Sequence, residues 1–373
     1  MINYSEILNL DPYSKNKKEK GEWISQILRE LTKHHEKNCP EYRKILTAMG
    51  LYPSATQPPF SGERLSSAEN ISYEEIPFIP VRMFKEYELR SIAKEEIFKT
   101  LTSSGTTGQA VSKIYLDKQA SSIQTKVLTK IVGEFVGKGR HPMIILDSKE
   151  VIKNRQMFSA RGAGIIGFSI FGRDKFFAFD EEMKLDVEGM EKFLEKYKGE
   201  KIFLFGFTFM IWQHFYEILK KNGYRPDLSK GILIHGGGWK KLADKAVSPK
   251  EFNERLKEVC AIESVHEYYG MVEQTGTIYV ECEKGHLHCS IFSDVCIRDP
   301  ITFSVLGEGE KGLIEVVSVL PYSYPGHVLL TEDEGMLLGE DNCECGRLGK
   351  YFKIMGRIKN AEIRGCSDTY EKK

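Results

Sequence analysis

The chain has 373 residues, of which 41% are hydrophobic, and this is enough for one large folded unit or two smaller ones. Lys and Arg together number 53, and Asp and Glu together also number 53, so the net charge gives no reason to expect nucleic acid or a membrane surface as a partner. Eight cysteines are too few for a disulfide scaffold in a chain of this length, and we expect them to be reduced and free to act as ligands or nucleophiles.

The amino-terminal part of the chain shows neither an export signal nor a membrane segment. No basic stretch is followed by an apolar one, and no run of about 18 apolar residues occurs, so we expect a cytoplasmic protein without membrane insertion. Apolar side chains at three- and four-residue spacing predict a helix over 22–38. The Pro-, Ser- and Gly-rich run from Pro53 to Pro80 predicts a long irregular connection. Residues 1–94 are therefore predicted to form a helical and irregular segment of a large domain.

From about residue 95 onward, short apolar runs alternate with stretches of helical spacing. This alternation predicts an α/β fold of layered sheets and helices with largely buried strands, followed by a β-rich portion in the last third. Ser248, Pro249 and Glu251 have the spacing of a helix start, with a capping Ser and a Pro in the first turn. The core is predicted to extend over 95–355. The apolar runs are 143–147, 201–207 and 231–237, and the β-rich runs are 312–319 and 327–335.

The most informative stretch is a turn rich in glycine and hydroxyl side chains. Its glycines let the backbone turn tightly, and its hydroxyl and N–H groups can donate hydrogen bonds to phosphate oxygens. A polar surface turn is the alternative, because a Gly-rich loop alone is a weak signal and no Gly-Lys-Ser/Thr sequence closes it as in a Walker loop. The turn consists of Ser103, Ser104, Gly105, Thr106, Thr107 and Gly108.

Four further motifs follow this turn along the chain. They are His235-Gly236-Gly237-Gly238-Trp239, Tyr268-Tyr269-Gly270 with Glu273, the segment 331–335 with Asp333, and Gly356-Arg357 followed by Glu362-Ile363-Arg364-Gly365. Together with the 103–108 turn, and in this order, they resemble the motifs of the adenylate-forming superfamily, which includes acyl-CoA synthetases. The resemblance spans roughly 76–366 and implies the large domain of such an enzyme.

The resemblance implies a separate role for each motif. The 103–108 turn would bind the phosphates of ATP, the 235–239 loop would pack against adenine, an aromatic residue of the 268–270 segment would stack near adenine, Glu273 would help to hold Mg²⁺, Asp333 would bind the ribose hydroxyls, and Arg357 at the hinge would act in catalysis. Ordinary alternatives exist, because Glu273 can be a surface carboxylate, Asp333 can end a strand, and the three glycines can form a flexible turn.

Within the superfamily, the chain is similar to the acyl-protein synthetase (LuxE-like) family of bacterial fatty-acid reductase complexes. The similarity lies in the segments 235–241 and 76–85, in the short length and in the ending. It implies that Cys366, on a hinge and C-terminal arm over 356–373, attacks a fatty acyl-AMP and hands the acyl thioester to an acyl reductase. The preceding Gly365 would let the arm move, and Arg364 would favour the thiolate form. An unreactive free cysteine in a frayed tail is the alternative.

One departure from the superfamily concerns a lysine. Most members continue beyond the hinge into a small C-terminal domain whose lysine assists adenylation, whereas this chain stops, so we expect that domain to be truncated. Lys113, Lys240 and Lys359 are the candidate substitutes, and the sequence does not distinguish among them.

Two short segments rich in cysteine and histidine predict a metal site. The first contains Cys282, His286, His288 and Cys289, and the second contains Cys343 and Cys345. Thiolate and imidazole ligands at such spacing suit tetrahedral, structural Zn²⁺. The set Cys282, His288, Cys343 and Cys345 also resembles the metal-binding pattern of some phenylacetate-CoA-ligase-like members, and these four are the predicted ligands. Partly buried, reduced cysteines beside solvated histidines are the alternative.

These observations predict an ATP- and Mg²⁺-dependent enzyme that activates a long-chain fatty acid as its acyl-adenylate and transfers the acyl group to Cys366. The expected partners are the fatty acid and an acyl reductase subunit or a carrier protein, and no nucleic acid. One alternative is a ligase that uses coenzyme A or a carrier thiol as acceptor. An alternative from another class is an inactive nucleotide-binding subunit that only supports a reductase.

Overall fold

The computed structural model describes residues 2–49, 71–103, 110–152 and 160–358. In this part of the chain, no helix is both long enough and apolar enough to cross a membrane. The α-helices are α1 (Tyr4–Ile7), α2 (Lys17–Asn38), α3 (Pro40–Ala48), α4 (Met83–Glu86), α5 (Lys118–Val136), α6 (Ala160–Phe168), α7 (Val187–Lys196), α8 (Thr208–Met210), α9 (Glu217–Asn222) and α10 (Pro249–Cys260), with a π-helical turn, Ile211–Tyr216, between α8 and α9.

Most strands belong to one 12-stranded mixed sheet, and β2 and β3 form a separate hairpin. The order in the large sheet is β11-β12-β13-β14-β10-β9-β8-β7-β6-β4-β5, with β1 paired to β13. The strands are β1 (Ile79–Pro80), β2 (Lys99–Thr102), β3 (Lys113–Leu116), β4 (His141–Ser148), β5 (Gly172–Phe179), β6 (Ile202–Phe207), β7 (Gly231–Gly236), β8 (Ser264–Tyr269), β9 (Tyr279–Glu281), β10 (Leu287–His288), β11 (Ser293–Arg298), β12 (Lys311–Ser318), β13 (Val328–Glu340) and β14 (Lys350–Arg357).

The half of the sheet from β5 to β8 is parallel and is interleaved with helices. Every residue of β6 and of β7 is buried, as is typical of parallel strands covered on both faces. The three predicted apolar runs coincide with β4, β6 and β7, so the α/β expectation is confirmed for this half. The helix start predicted at Ser248 is also confirmed, because its side chain accepts a hydrogen bond from the N–H of Glu251 at the first turn of α10.

The other half of the large sheet is antiparallel from β8 through β14 to β11. The two β-rich runs predicted from the sequence fall in β12 and β13, which confirms the β-rich portion. Two large apolar clusters result, one centred on the parallel strands and one on β12, β13 and β14. The sheet therefore places the ends of β7 and β8 close to the antiparallel strands that carry the later motifs.

The predicted amino-terminal helix is present and begins five residues earlier than expected, at Lys17. Asn16 accepts a hydrogen bond from the N–H of Glu19, and the Glu19 carboxylate accepts one from the N–H of Asn16, so a capping box stabilises the extra turn. On the opposite side, Lys20 is 1% exposed and forms a 3.3 Å ion pair with Asp294 of β11. This buried pair fastens α2 to the antiparallel half of the sheet.

A buried pair of histidines joins α2 to the segment before β13. The rings of His35 and His327 lie 4.8 Å apart, and both side chains are at most 1% exposed. His35 Nε2 donates to the carbonyl oxygen of Pro321, and its Nδ1 lies 2.8 Å from the Ser91 hydroxyl. Burial lowers the pKa of His35 well below its usual value and lowers the pKa of His327 to about 3. Both rings are therefore neutral at pH 7.

We expect the protein to lose stability between pH 7.5 and pH 5.5. A histidine whose pKa is lowered by folding binds a proton more readily in the unfolded state, so its contribution is complete above pH 6.5 and is lost as the pH falls. Each such histidine lowers the free energy of unfolding by up to about 1.4 kcal/mol per pH unit below 6.5. Urea unfolding at both pH values measures the loss, and His327→Gln should reduce the pH dependence. Equal stabilities at both values for the wild-type chain would contradict the expectation.

Candidate active site

The predicted phosphate-binding turn connects β2 and β3, which form the separate hairpin. Ser103 lies at its base, where its N–H donates to the carbonyl oxygen of Ser112 over 3.1 Å and its hydroxyl oxygen accepts from the N–H of Ser112 over 2.9 Å. This reciprocal pair holds together the two ends of the turn. The other predicted residues of the turn, Ser104 to Gly108, lie outside the described part of the chain.

A hydrogen bond connects this hairpin to the segment that carries Tyr324, a residue near Glu273. Asp117, which follows β3, accepts a hydrogen bond from the Ser323 hydroxyl over 2.9 Å. The next residue, Tyr324, is fully buried, and burial together with the charge of Glu273 raises the pKa of Tyr324. Glu273 is itself only 1% exposed, in the 3₁₀ turn Val272–Gln274. The alternative of an ordinary surface carboxylate therefore does not hold for Glu273.

The neighbouring Gln274 is a residue that sequence reasoning missed. Its side-chain amide donates to the carbonyl oxygens of Val316 and Gly326 over 3.0 and 2.9 Å, which fixes the turn that carries Glu273 against β12. A glutamine beside a motif carries no distinctive spacing, so nothing in the sequence separates it from a surface residue.

The glycine-rich loop after β7 makes a close backbone contact that only glycine permits. A Cβ atom at Gly236 would lie 2.7 Å from the carbonyl oxygen of Tyr268 and 2.8 Å from its ring. Gly237 and Gly238 adopt φ values of +86° and +64°, in the left-handed region that favours glycine. A Cβ atom at Gly237 would also clash with the ring of Phe207. Packing therefore requires glycine at 236 and 237, and the backbone conformation favours glycine at 237 and 238. The segment presents backbone without side chains beside Tyr268.

Tyr268 faces the helix α6 side of the sheet. Its ring lies 5.1 Å from that of Phe168 in α6 and 6.4 Å from that of Phe205 in β6. Gly164 in α6 allows this packing, because a Cβ atom there would lie 3.1 Å from the Phe207 ring. These aromatic rings and the glycine backbone form one continuous apolar wall at the carboxyl ends of β6, β7 and β8.

His235 and Trp239 lie on the opposite face of the sheet from Tyr268. His235 pairs in register with Glu267, whereas Gly236 pairs with Tyr268, and successive strand residues point to opposite faces. The His235 ring is 2.9 Å from the Thr208 hydroxyl and 4.6 Å between centroids from Phe252, and Trp239 packs edge-on against Trp212. The structure therefore does not bring these two predicted residues onto the wall formed by Tyr268.

These two side chains instead line a small cavity of about 50 Å³ together with the carboxylate of Glu267. Burial lowers the pKa of His235 to about 3. Burial and the nearby charge of Glu281 raise the pKa of Glu267 to about 7. Glu267 was not among the predicted residues, because the sequence does not show that its strand is covered on this face.

Tyr269 at the end of β8, Asp333 within β13 and Arg357 at the end of β14 meet in one cluster. The Tyr269 hydroxyl donates to Asp333 Oδ2 over 2.7 Å, and Arg357 Nε forms a 3.0 Å ion pair with Asp333 Oδ1. Asp333 and Arg357 are register partners in β13 and β14, so their contact follows directly from strand pairing. Burial and the Asp333 charge raise the pKa of Tyr269 well above its usual value, which keeps the phenol protonated as a donor.

Two further charged residues complete this cluster, and the sequence did not identify either of them. Glu332 lies 3.0 Å from Arg357 through one carboxylate oxygen and 3.3 Å from Arg82 through the other. Arg82 comes from the segment between β1 and α4, and β1 pairs with β13 beside Leu329 and Leu330. The pairing of β1 is a long-range event, so the proximity of Arg82 to the motif residues is not visible in the sequence.

The four predicted metal ligands converge. One ligand atom from each of Cys282, His288, Cys343 and Cys345 lies within 4.8 Å of all the others. The Sγ atoms of Cys282 and Cys343 are 3.9 Å apart, close to the separation of about 3.8 Å that a tetrahedral zinc ion with 2.3 Å bonds requires. Cys345 Sγ lies 3.3 Å from His288 Nε2. The donor set and its spacing therefore fit tetrahedral Zn²⁺.

The cluster lies between two hairpins of the antiparallel half. Cys282 and His288 belong to the β9–β10 hairpin, whereas Cys343 and Cys345 lie in the connection from β13 to β14. His286 contacts Cys343 Sγ at 3.3 Å through Nδ1 and stacks on Tyr351, so it packs beside the four ligands. An ion held here would therefore fasten the two hairpins to each other.

Several predicted residues lie outside the described part of the chain or lack a described side chain. Cys366 and Lys359 follow the last described residue, and the side chain of Lys240 is not described. Lys113 is described and exposed at the start of β3, directly after the phosphate-binding turn. Their predicted roles stay predictions.

Comparison with known proteins gives one family. Residues 2–373 match the family described as acyl-protein synthetase, LuxE. The chain is 22% identical to the long-chain-fatty-acid--luciferin-component ligase of Vibrio harveyi, over 94% of this chain and 87% of that protein. It is 24% identical to the protein of the same name from Aliivibrio fischeri, over 79% of this chain and 77% of that one.

A solved structure shares the fold. It is an open conformation of 2-hydroxyisobutyryl-CoA ligase in complex with 2-HIB-AMP and CoA, and it superposes with a TM-score of 0.68 at 15% identity, over 92% of this chain and 71% of that chain. The fold predicted from the motif order is therefore confirmed.

Proposed function

The chain belongs to the acyl-protein synthetase family, LuxE, and on this premise we propose that it activates a long-chain fatty acid with ATP as the acyl-adenylate and transfers the acyl group to a protein cysteine. The relatives named as long-chain-fatty-acid--luciferin-component ligases support the fatty acid as substrate. An acyl reductase is the partner that we propose for the resulting thioester.

The observation that supports this function most is that residues of the predicted nucleotide-binding motifs contact one another directly. Gly236 contacts Tyr268, the next residue Tyr269 donates to Asp333, and Asp333 pairs with Arg357. Bare glycine backbone beside an aromatic ring suits a flat base, and a carboxylate suits the two hydroxyls of a ribose. These are the groups that distinguish a nucleoside from a simple phosphate.

The first half-reaction joins the acid to AMP. A carboxylate oxygen of the fatty acid attacks the α-phosphorus of ATP, the bond to the bridging oxygen of pyrophosphate breaks, and pyrophosphate leaves. In this proposal the turn that Ser103 closes donates hydrogen bonds to the phosphate oxygens. The product is a mixed anhydride, which is a far better electrophile than the free carboxylate.

Glu273 is the residue that would hold Mg²⁺. A magnesium ion bound with a nucleotide typically takes one or two carboxylates together with phosphate oxygens. Glu273 is a buried carboxylate near Tyr324, and the preceding residue, Ser323, donates to Asp117 after β3. Such an ion supplies positive charge that offsets the charge on the departing pyrophosphate.

The second half-reaction moves the acyl group to Cys366. The thiolate attacks the acyl carbon, and the bond between that carbon and the AMP oxygen breaks. AMP leaves, and the acyl group remains on the protein as a thioester. The described chain ends at Ile358, whose N–H donates to the carbonyl oxygen of Glu332 beside Asp333. Seven residues lie between Ile358 and Cys366, and the eight steps from one residue to the next span up to about 28 Å, so the thiol can reach an adenylate held at Asp333.

We also propose that the cluster of Cys282, His288, Cys343 and Cys345 binds one structural zinc ion. Four protein ligands leave no open coordination position, so such an ion would not bind substrate. Its role in this proposal is to fasten the β9–β10 hairpin to the connection between β13 and β14.

The experiment that tests the proposed function is incubation of the protein with ATP and a radiolabelled long-chain fatty acid in the absence of CoA. We expect a label on the protein that hydroxylamine removes, because hydroxylamine cleaves thioesters. In a parallel reaction CoA or a carrier protein is added. Label that appears only on this added thiol, with none on the protein itself, would favour the alternative acceptor. Absence of acid-dependent ATP–pyrophosphate exchange would favour an inactive nucleotide-binding subunit.

Replacement of Glu273 by Gln should lower the rate of acid-dependent ATP–pyrophosphate exchange by about a hundredfold or more. The change keeps the shape of the side chain but removes the charge that would hold the metal, and groups that stabilise developing charge typically contribute this much. Exchange measured at saturating ATP gives the effect.

The matched control is Glu281→Gln, because Glu281 is also a buried carboxylate but lies in β9, where it accepts a hydrogen bond from the N–H of Glu267. We expect this variant to exchange at nearly the wild-type rate. A Glu273→Gln protein that is folded and exchanges as fast as Glu281→Gln would remove Glu273 from the site.

A further inference from the structure

The Asp333 carboxylate is already engaged through both of its oxygens. Oδ2 accepts from the Tyr269 hydroxyl over 2.7 Å, and Oδ1 lies 3.0 Å from Arg357 Nε. The Asp333 side chain is 19% exposed, and that of Arg357 is 30% exposed, so both partners of this ion pair are partly accessible to solvent. A ribose hydroxyl that donates to Oδ1 therefore competes with Arg357 for this oxygen.

Arg357 is held in this position from its other side. Its terminal nitrogen donates to Glu332 Oε2 over 3.0 Å, and Glu332 Oε1 lies 3.3 Å from Arg82 Nε. The Glu332 side chain is 12% exposed, which protects these contacts partly from water and salt. Two carboxylates and two guanidinium groups therefore form one chain of charges, Arg82, Glu332, Arg357 and Asp333, with Tyr269 at its end.

A ribose diol and the Arg357 guanidinium need the same acceptor. Each ribose hydroxyl donates one hydrogen bond, and a carboxylate receives two such donors best when both of its oxygens are accessible. Tyr269 is buried and can stay on Oδ2, which still has a second lone pair. The partly exposed Arg357 side chain is the partner that occupies Oδ1.

We propose that the ion pair between Arg357 and Asp333 is a latch over the ribose site, which a nucleotide opens when its hydroxyls displace Arg357 from Asp333. This inference rests on the proposed role of Asp333 in binding ribose. The latch lowers the affinity for any nucleotide with ribose hydroxyls and leaves unaffected a nucleotide that lacks them.

The test compares the dissociation constants of ATP and of 2′,3′-dideoxy-ATP, measured by isothermal titration calorimetry without fatty acid. The readout is the ratio of the dideoxy-ATP constant to the ATP constant, because contacts to base and phosphates cancel in it. In Arg357→Gln this ratio should be roughly two- to fivefold higher than in the wild type, as expected when a partly exposed ion pair no longer has to open. Arg357→Lys keeps the charge without the planar fork and should give an intermediate ratio.

Glu334→Gln is the matched control. Glu334 is the neighbouring residue of β13 and forms an ion pair with Lys311 over 2.9 Å instead of contacting Asp333. The ratio of dissociation constants in this variant should therefore equal that of the wild type. A ratio in Arg357→Gln at or below the wild-type value would overturn the latch.

A further variant separates the latch from the function on which it rests. If Asp333→Asn abolishes a preference for ATP while Arg357→Gln leaves it unchanged, only the latch is wrong. If the ratio is near one in the wild type, in Asp333→Asn and in Arg357→Gln, Asp333 does not bind ribose, and the nucleotide part of the proposed function fails with the latch.

Discussion

Replacement of Cys366 by Ser should abolish attachment of the acyl group to the protein while acid-dependent ATP–pyrophosphate exchange continues. A thiolate is a strong nucleophile at neutral pH, whereas a serine hydroxyl without a neighbouring base is a poor one, so transfer stops after the adenylate has formed. The measurement is autoradiography of protein incubated with ATP and radiolabelled fatty acid, alongside the exchange assay. We expect the label to fall below one hundredth of the wild-type level.

Ser367→Ala is the control for this result, because it changes the adjacent position of the same segment without touching a thiol. It should acylate at the wild-type rate. A Cys366→Ser protein that still carries hydroxylamine-sensitive label would show that another thiol is acylated and would remove Cys366 from the mechanism. Loss of exchange together with loss of label would instead indicate damage to the adenylation site.

Cys282→Ser should release the zinc ion and lower the free energy of unfolding by more than about 4 kcal/mol, as loss of a structural metal commonly does. The hydroxyl is a much weaker zinc ligand than a thiolate, and three ligands do not close a structural site. Elemental analysis of freshly purified protein gives the metal content, and urea unfolding gives the stability. We expect about one zinc ion per chain in the wild type and none in the variant.

Cys260→Ser is the matched control for the metal site. Cys260 is also a buried, free thiol, but it lies at the end of α10, where it donates to the carbonyl oxygen of Leu256. This variant should keep its zinc and lose less stability than Cys282→Ser. Absence of zinc from freshly purified wild-type protein would end the proposal.

Two of the proposed metal ligands and two residues of the proposed nucleotide site belong to the hairpin of β13 and β14, which gives the proposed zinc ion a consequence beyond stability. Asp333 and Arg357 are at one end of the paired strands β13 and β14, and Cys343 and Cys345 are in the connection at their other end. A metal that fixes this connection also fixes the register of the two strands. We therefore expect removal of the metal with a chelator to impair both the stability of this hairpin and the nucleotide binding proposed at Asp333.

Much of the fold followed from local patterns. Apolar runs of five to seven residues separated by helical spacing placed β4, β6 and β7 correctly, since buried parallel strands need continuous apolar sequence. The order of the motifs then predicted the superfamily fold. The selection of Cys282 and His288, rather than His286 and Cys289, also agrees with the four ligand atoms that converge.

Other features of the site depend on which strands pair and on which face each residue takes. The sequence presents His235, Gly236 and Trp239 as one motif, yet strand alternation puts His235 against Thr208 and leaves only the glycine beside Tyr268. The burial of Glu273 was not visible in the sequence either, because it depends on packing against residues far away in the chain.

Residue types and their order were thus sufficient to identify the family and to predict the glycine turn, the metal ligands and the carboxylates of the proposed nucleotide site, because these reflect local geometry and chemical requirement. They were not sufficient to predict the ion pair between Arg357 and Asp333, because Arg82, Glu332 and Arg357 meet only after β1 and β14 pair with β13. Long-range pairing brings such charges together, and no spacing along the chain encodes it.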